Sequence, residues 1–243
     1  IRDLMMGLVG SEICIRDRCT RACRFCGVAT GRPNIPDYDE PERIAEAIFE
    51  FNLNHAVITS VDRDDLPDSG ASFWYQTIMQ IKSKNPRCTI ETLIPDFSAK
   101  PELLDLIVKA SPEIVSHNME TVRSLTSKVR SVAQYETSLK TLTYLTLKGM
   151  ITKSGIMLGI GETSDEIIET LWDIKNTGCS IVTIGQYFQP SKKHYPVHRF
   201  VPQSEFDDIK TEALAMGFEF VESGILVRSS YHAETQIKLS QKK

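Results

Sequence analysis

The chain has 243 residues and a net charge of −4, from 28 basic and 32 acidic side chains. That length suits one sizeable core, and the near balance of charge gives no global reason to expect nucleic acid or an anionic membrane as partner. Six cysteines in so long a chain exclude a disulfide-stapled mini-domain, and no apolar stretch is long enough to cross a bilayer.

The chain opens on Ile1 rather than Met, so a preceding segment, with any targeting signal, is expected to lie outside these residues. A first strand is predicted over 10–15. A helix follows over 41–52, with Pro41 in its first turn and Ile44, Ala47, Ile48 and Phe51 on one face. The run His55-Ala-Val-Ile-Thr-Ser60 reads as a buried strand, followed by a helix over 71–84 and a strand over 89–93. Residues 101–110 form a short helix with Leu103, Leu104 and Ile107 inward. A fourth strand is predicted over 113–116 and a helix over 135–148, stopped by Gly149. A strand over 152–158 precedes a helix over 164–176, capped by Thr163 or Ser164 and closed by Gly178. Residues 180–184 give a sixth strand, 204–216 a helix stopped by Gly217, and 218–221 a last short strand.

Alternation of this kind implies right-handed crossovers and a parallel sheet. Residues 1–243 are expected to form a single domain, an α/β fold built as a partial (βα)6 TIM-like barrel. A doubly wound open sheet is the alternative, but no glycine-rich dinucleotide turn follows the first strand. Ligands then gather at the carboxyl ends of the strands.

Cys19, Cys23 and Cys26 follow the first strand in the run Cys19-Thr-Arg-Ala-Cys23-Arg-Phe-Cys26. Three thiolates this close suit a 4Fe-4S cluster with three protein-bound irons and one open iron. Zinc would want a fourth nearby ligand and wider spacing. Their number and spacing also point to a reducing compartment.

Candidates recur at the other strand ends. Thr59 and Ser60 begin the string Thr-Ser-Val-Asp-Arg-Asp-Asp-Leu66. Asn118 and Glu120 lie in Ser116-His-Asn-Met-Glu-Thr121, where an amide and a carboxylate match two adjacent ribose hydroxyls. Lys153 would be costly to bury without an anionic partner. Gln186 and Tyr187 follow the sixth strand, then the basic Lys192-Lys193-His194, which reads either as solvated surface or as a contact for an acidic partner. Cys14, Cys88 and Cys179 are isolated, and each is expected to be structural.

Taken together, the strings C-T-R-A-C-R-F-C, V-I-T-S-V-D-R-D-D-L, P-D-F, H-N-M-E-T, T-K-S-G-I-M-L-G-I-G-E, T-I-G-Q-Y, Q-P-S-K and R-S-S-Y-H-A closely resemble lipoyl synthase, of the radical S-adenosylmethionine superfamily. The triple-cysteine loop alone would give only the superfamily; V-D-R-D-D-L together with R-S-S-Y is more specific. The resemblance implies sulfur insertion at C6 and C8 of an octanoyl group on a lysine of a lipoyl carrier domain, of a 2-oxoacid dehydrogenase E2 or the glycine cleavage H protein. It implies that Cys19, Cys23 and Cys26 hold the cluster that cleaves S-adenosylmethionine, fed by an electron donor such as ferredoxin or flavodoxin. Thr59, Ser60, Asn118, Glu120 and Lys153 would contact that cofactor, with Gln186 and Tyr187 as weaker candidates. A second four-iron cluster would take Ser229 or Ser230, with Ser229 favoured. Its other ligands in the family, an upstream C-x4-C-x5-C, do not occur among these residues, and loss of an N-terminal segment is the expected reason. Such a chain would cleave the cofactor without inserting sulfur. Arg16, where the family has glycine, is a second departure. Another radical enzyme, similar to biotin synthase, or a carrier-binding module without catalysis are the alternatives. The resemblance implies the bacterial cytoplasm, or mitochondria or plastids.

Overall fold

The computed structural model describes the backbone of residues 12–15 and the whole of residues 18–236. Arg16 and the side chain of Cys14 lie outside the described residues. Seven strands, all parallel, pair in chain order: β1 (Glu12–Ile15), β2 (His55–Ser60), β3 (Thr89–Leu93), β4 (Ile114–Ser116), β5 (Thr152–Leu158), β6 (Ile181–Gln186) and β7 (Phe220–Gly224). No pairing joins β7 to β1 among the described residues, so the barrel is open along that seam. The expected partial barrel is the observed one.

The crossover helices are α1 (Glu40–Glu50), α2 (Ala71–Lys84), α3 (Pro101–Ala110), α4 (Arg123–Val129), α5 (Tyr135–Leu147), α6 (Ser164–Asn176) and α7 (Gln203–Ala215). A short α8 (Ala233–Gln236) closes the described chain. Ile44, Ala45, Ala47 and Ile48 bury the inner face of α1, and Glu40 and Glu42 complement its amino end. Phe51, expected on that face, falls beyond the last turn and is 46% exposed. Thr163 caps α6 in a reciprocal box with Glu166. The periodicity gave no sign of α4, a two-turn helix that packs Leu125, Thr126 and Val129 inward.

Strand alternation divides the interior. Ala56, Ile58, Ile90 and Val115 face the helices in one apolar cluster, and Ile156, Leu158, Val182 and Ile184 face them in another. The opposite parity points into the barrel and mixes Ile114 and Ile181, an apolar cluster, with Glu91, Lys153, Gly155, Thr183 and Gly185. Lys153 and Glu91 are both fully buried and paired at 2.9 Å, and Ser116 donates to Glu91 at 2.8 Å. This is the anionic partner that burial of Lys153 demands. Cys88 and Cys179 are buried in the apolar clusters, as expected.

Candidate active site

The cysteine loop runs across the carboxyl ends of β2 to β4 and is tied down on both sides. The Thr20 amide donates to the Asp62 carbonyl at 3.1 Å, and the Ala22 amide to the Ser131 hydroxyl at 2.9 Å. The Arg24 amide reaches the Val129 carbonyl at 2.8 Å, so α4 serves as a shelf for the loop. Between the first two cysteines, the Arg21 side chain turns inward and is only 5% exposed. Its guanidinium donates to both oxygens of Asp64 and both of Asp96 at 2.7–2.9 Å, with Asp62 at 3.3 Å. Burial by itself would raise the Asp96 carboxyl; the Arg21 hydrogen bonds and charge overcome it and hold the group at about 2.

Cys19, Cys23 and Cys26 face one cavity of about 300 Å³, lined also by Thr59, Ser60, Asn118 and Glu120. Burial pushes the Cys19 thiol up to about 11 and raises Cys26 as well. Loading a metal here therefore displaces protons. No three His, Cys, Asp or Glu side chains among the described residues converge on a single ion-sized point. Three thiols on the wall of one cavity are the donor set that a four-iron cube with one open iron would take.

A second cavity of about 180 Å³ adjoins the first, and Phe25, Asn118 and Glu120 line both. Gly155, Thr183, Gln186, Phe188, Arg228 and Ser229 are also in its wall; Ser230 is not. Glu120 sits at φ 67°, in the left-handed region that a non-glycine residue enters only under constraint. The constraint is visible. Its amide donates to the Gly155 carbonyl and its carbonyl accepts from the Met157 amide, both at 2.9 Å, which pins it to β5. The Asn118 side chain bonds the Glu120 carboxylate, yet its Oδ1 is buried with no protein partner. An orphaned acceptor between two cavities fits a ligand that brings a donor. Burial raises the Glu120 carboxyl, with Arg130 opposing it.

Gly185 places the C-terminal segment. A Cβ there would stand 2.3 Å from the Val227 carbonyl oxygen, so only glycine lets residues 227–229 lie against β6. Two sequence candidates are otherwise engaged. Lys153 is consumed by Glu91 and lines neither cavity. The Gln186 amide braces the backbone of Leu158, Tyr187 and Arg199 and accepts from the Val201 amide, although its residue borders the second cavity. Tyr187 donates its hydroxyl to the Tyr195 carbonyl at 2.8 Å.

The sequence reading passed over Arg21, Asp96, His117 and Arg130, all in the wall of the first cavity. His117 is fully buried between the Ile94 carbonyl and the Ser138 hydroxyl, and Ser138 in turn accepts from Arg130. These partners fix the tautomer with the proton on Nδ1. Burial, reinforced by the charge of Arg130, lowers this imidazole to about 4, so it is neutral.

Residues 13–174 match the Radical SAM superfamily. Lipoyl synthase of Flavobacterium psychrophilum is 56% identical over 220 residues, covering 90% of this chain and 76% of its own. Lipoyl synthase of Bacteroides fragilis is 53% identical, covering 93% and 78%, and the mitochondrial lipoyl synthase of Nematostella vectensis is 54% identical, covering 90% and 76%. The fold is shared with the hydrogenase maturase HydG at a TM-score of 0.67, 13% identity and coverage of 95% and 62%. Methylornithine synthase gives 0.61, 11%, 98% and 84%. With its three thiols on one cavity of an open parallel barrel, and with these identities, the chain belongs to the lipoyl synthase family of radical S-adenosylmethionine sulfurtransferases.

Proposed function

We propose that the barrel acts on an octanoyl-lysine of a lipoyl carrier domain, preparing C6 and C8 for sulfur insertion. The observation that supports this reading is the shared wall of the two cavities, where Phe25, Asn118 and Glu120 line both the cavity of the three thiols and that of Ser229. When bound, the 4Fe-4S cluster and S-adenosylmethionine supply a radical able to abstract hydrogen from an unactivated carbon.

The chain's own residues have the remaining tasks. Cys19, Cys23 and Cys26 would ligate the cluster. Asn118 and Glu120, held rigid by β5, accept from ribose hydroxyls; Thr59 and Ser60 complete the cofactor wall. Ser60 is itself oriented by the Trp74 indole, which donates to its hydroxyl at 3.1 Å. Ser229, which borders the second cavity, would be the serine ligand of a second cluster. A hard alkoxide is a more displaceable iron ligand than thiolate. Lys153 acts at one remove, through Glu91, by keeping the barrel interior neutral below the site.

The test uses carrier domain octanoylated with chains deuterated at C6. Anaerobic turnover with dithionite should move deuterium into 5′-deoxyadenosine. Cofactor cleavage that leaves the label on the carrier would contradict the reading and favour another radical enzyme.

A further inference from the structure

Four segments lie beside one another around the two cavities: residues 18–32, 122–133, 187–202 and 224–231. A chain with 32 acidic residues places none in any of them. Contacts knit the four into one surface. The Tyr195 amide donates to the Arg24 carbonyl at 2.7 Å, and the Arg24 guanidinium lies 5.0 Å from the Tyr195 ring. Arg24 also reaches the Lys128 carbonyl at 3.5 Å. Pro190 packs on Gly27, and Arg228 lies 5.2 Å over the Phe188 ring.

Among the exposed cations of these segments, Arg24, Lys128, Lys192, Lys193 and Arg228 form no salt bridge among the described residues, whereas Arg123 is paired with Glu136 and Asp173. Carboxylates that flank these segments have partners of their own. Asp62, Asp64 and Asp96 serve Arg21, Glu205 serves Arg199, and Glu166, which feels Lys128, caps α6 and bonds Ser124. Among the cations stand two exposed rings, Phe188 at 42% and Phe200 at 69%, with centroids 6.3 Å apart. Four neighbouring segments without acid in a net-acidic protein, with aromatic rings bare among their cations, suit an anionic macromolecule with apolar content.

We infer that Arg24, Lys128, Lys192, Lys193 and Arg228, with Phe188 and Phe200, form the docking surface for an acidic carrier domain whose modified lysine enters the second cavity. The inference rests on the carrier reading above and adds the surface and the charge of the partner. Phe188 and Arg228 border both the surface and the cavity, so a carrier seated on the cations delivers its acyl chain directly between the thiols and Ser229. Long-range attraction of this kind acts mainly on encounter and falls with salt.

The test measures binding of the octanoylated carrier domain to the reconstituted chain at low and high ionic strength. Affinity of the unchanged chain should fall steeply with salt. Reversal of two rim charges, K192E/K193E, should weaken binding by about tenfold at low salt and flatten the salt dependence. K109E, in the last turn of α3 at the opposite end of the barrel, should bind as the unchanged chain does. Equal thermal unfolding midpoints for all three proteins establish that folding is not the cause. Salt-independent binding that survives K192E/K193E would overturn the docking surface and leave the carrier reading standing. No binding by the unchanged chain would overturn both. Heparin or single-stranded RNA binding more tightly than the carrier would assign the surface to a nucleic acid instead and overturn the inference.

Discussion

Arg21 grips Asp96 through both terminal nitrogens, Nη1 at 2.7 Å and Nη2 at 2.9 Å, across 75 residues of chain. The same guanidinium holds Asp64 and touches Asp62, so one cation inside the cysteine loop bridges carboxylates from two strand ends. The loop is positioned by that cation as much as by its backbone.

Removing it should loosen the loop and leave buried charge uncompensated. Loss of one partner from a buried ion pair costs about 3–5 kcal/mol; Asp62 and Asp64 are partly solvated, which places R21A toward the low end. R21K keeps the charge without the planar fork and should fall between. Urea unfolding of the metal-free chain and iron content after reconstitution both read this. Unchanged midpoints for R21A would remove Arg21 from its positioning role.

Acid should weaken the same region in two steps. His117 has a folded value near 4, below its ordinary 6.5, so its protonation favours the unfolded chain as pH falls from 6.5 towards 4. Asp96 has a folded value near 2, below its ordinary 3.8, so its stabilisation is complete above 3.8 and is lost between about 4 and 2. Unfolding midpoints followed against pH should decline through both windows. H117Q should flatten the upper window and D96N the lower. A decline that neither variant alters would place the acid sensitivity elsewhere.

Gly155 lies where a Cβ would come within 2.7 Å of the Thr183 hydroxyl and 2.9 Å of Asn118 Oδ1. Thus G155A should push Asn118 away from its place beside Glu120 without exposing the core. The expected result is a loss of S-adenosylmethionine affinity of about tenfold, as for one buried hydrogen bond, read by calorimetry on reconstituted protein. Native affinity in a folded G155A would separate Asn118 from cofactor binding.

Lys153 and Glu91 offer a sharper distinction. If the lysine serves Glu91, K153M should destabilise by about 3–5 kcal/mol and the double variant K153M/E91L should recover most of that. Cofactor affinity should survive in the double variant. Restored stability without restored affinity would return Lys153 to direct cofactor contact.

The sequence made the architecture legible because β2, β3, β5 and β6 carry unbroken apolar or alternating runs between well-punctuated helices. The thiols stand past β1, Asn118 and Glu120 just past β4, and Thr59 and Ser60 end β2, so locating the strand ends in the sequence was enough to nominate them. What was hidden depends on distance along the chain. The demand of Lys153 for an anion was readable, but nothing local marks Glu91, 62 residues earlier. Arg21 lay in plain view between two cysteines, and its meaning resides in Asp64 and Asp96. Phe51 was misplaced because α1 ends one residue before it. The helix α4 is too short, at seven residues, for periodicity to register.

The central claim is that three thiols leave one iron open to S-adenosylmethionine. Mössbauer and electron paramagnetic resonance spectra of anaerobically reconstituted chain should show a cluster with one distinct iron that changes when the cofactor is added. Dithionite should then yield 5′-deoxyadenosine, and C23A should yield none. Bound zinc, a cluster whose four irons are all capped by side chains, or product formation in C23A would contradict the account.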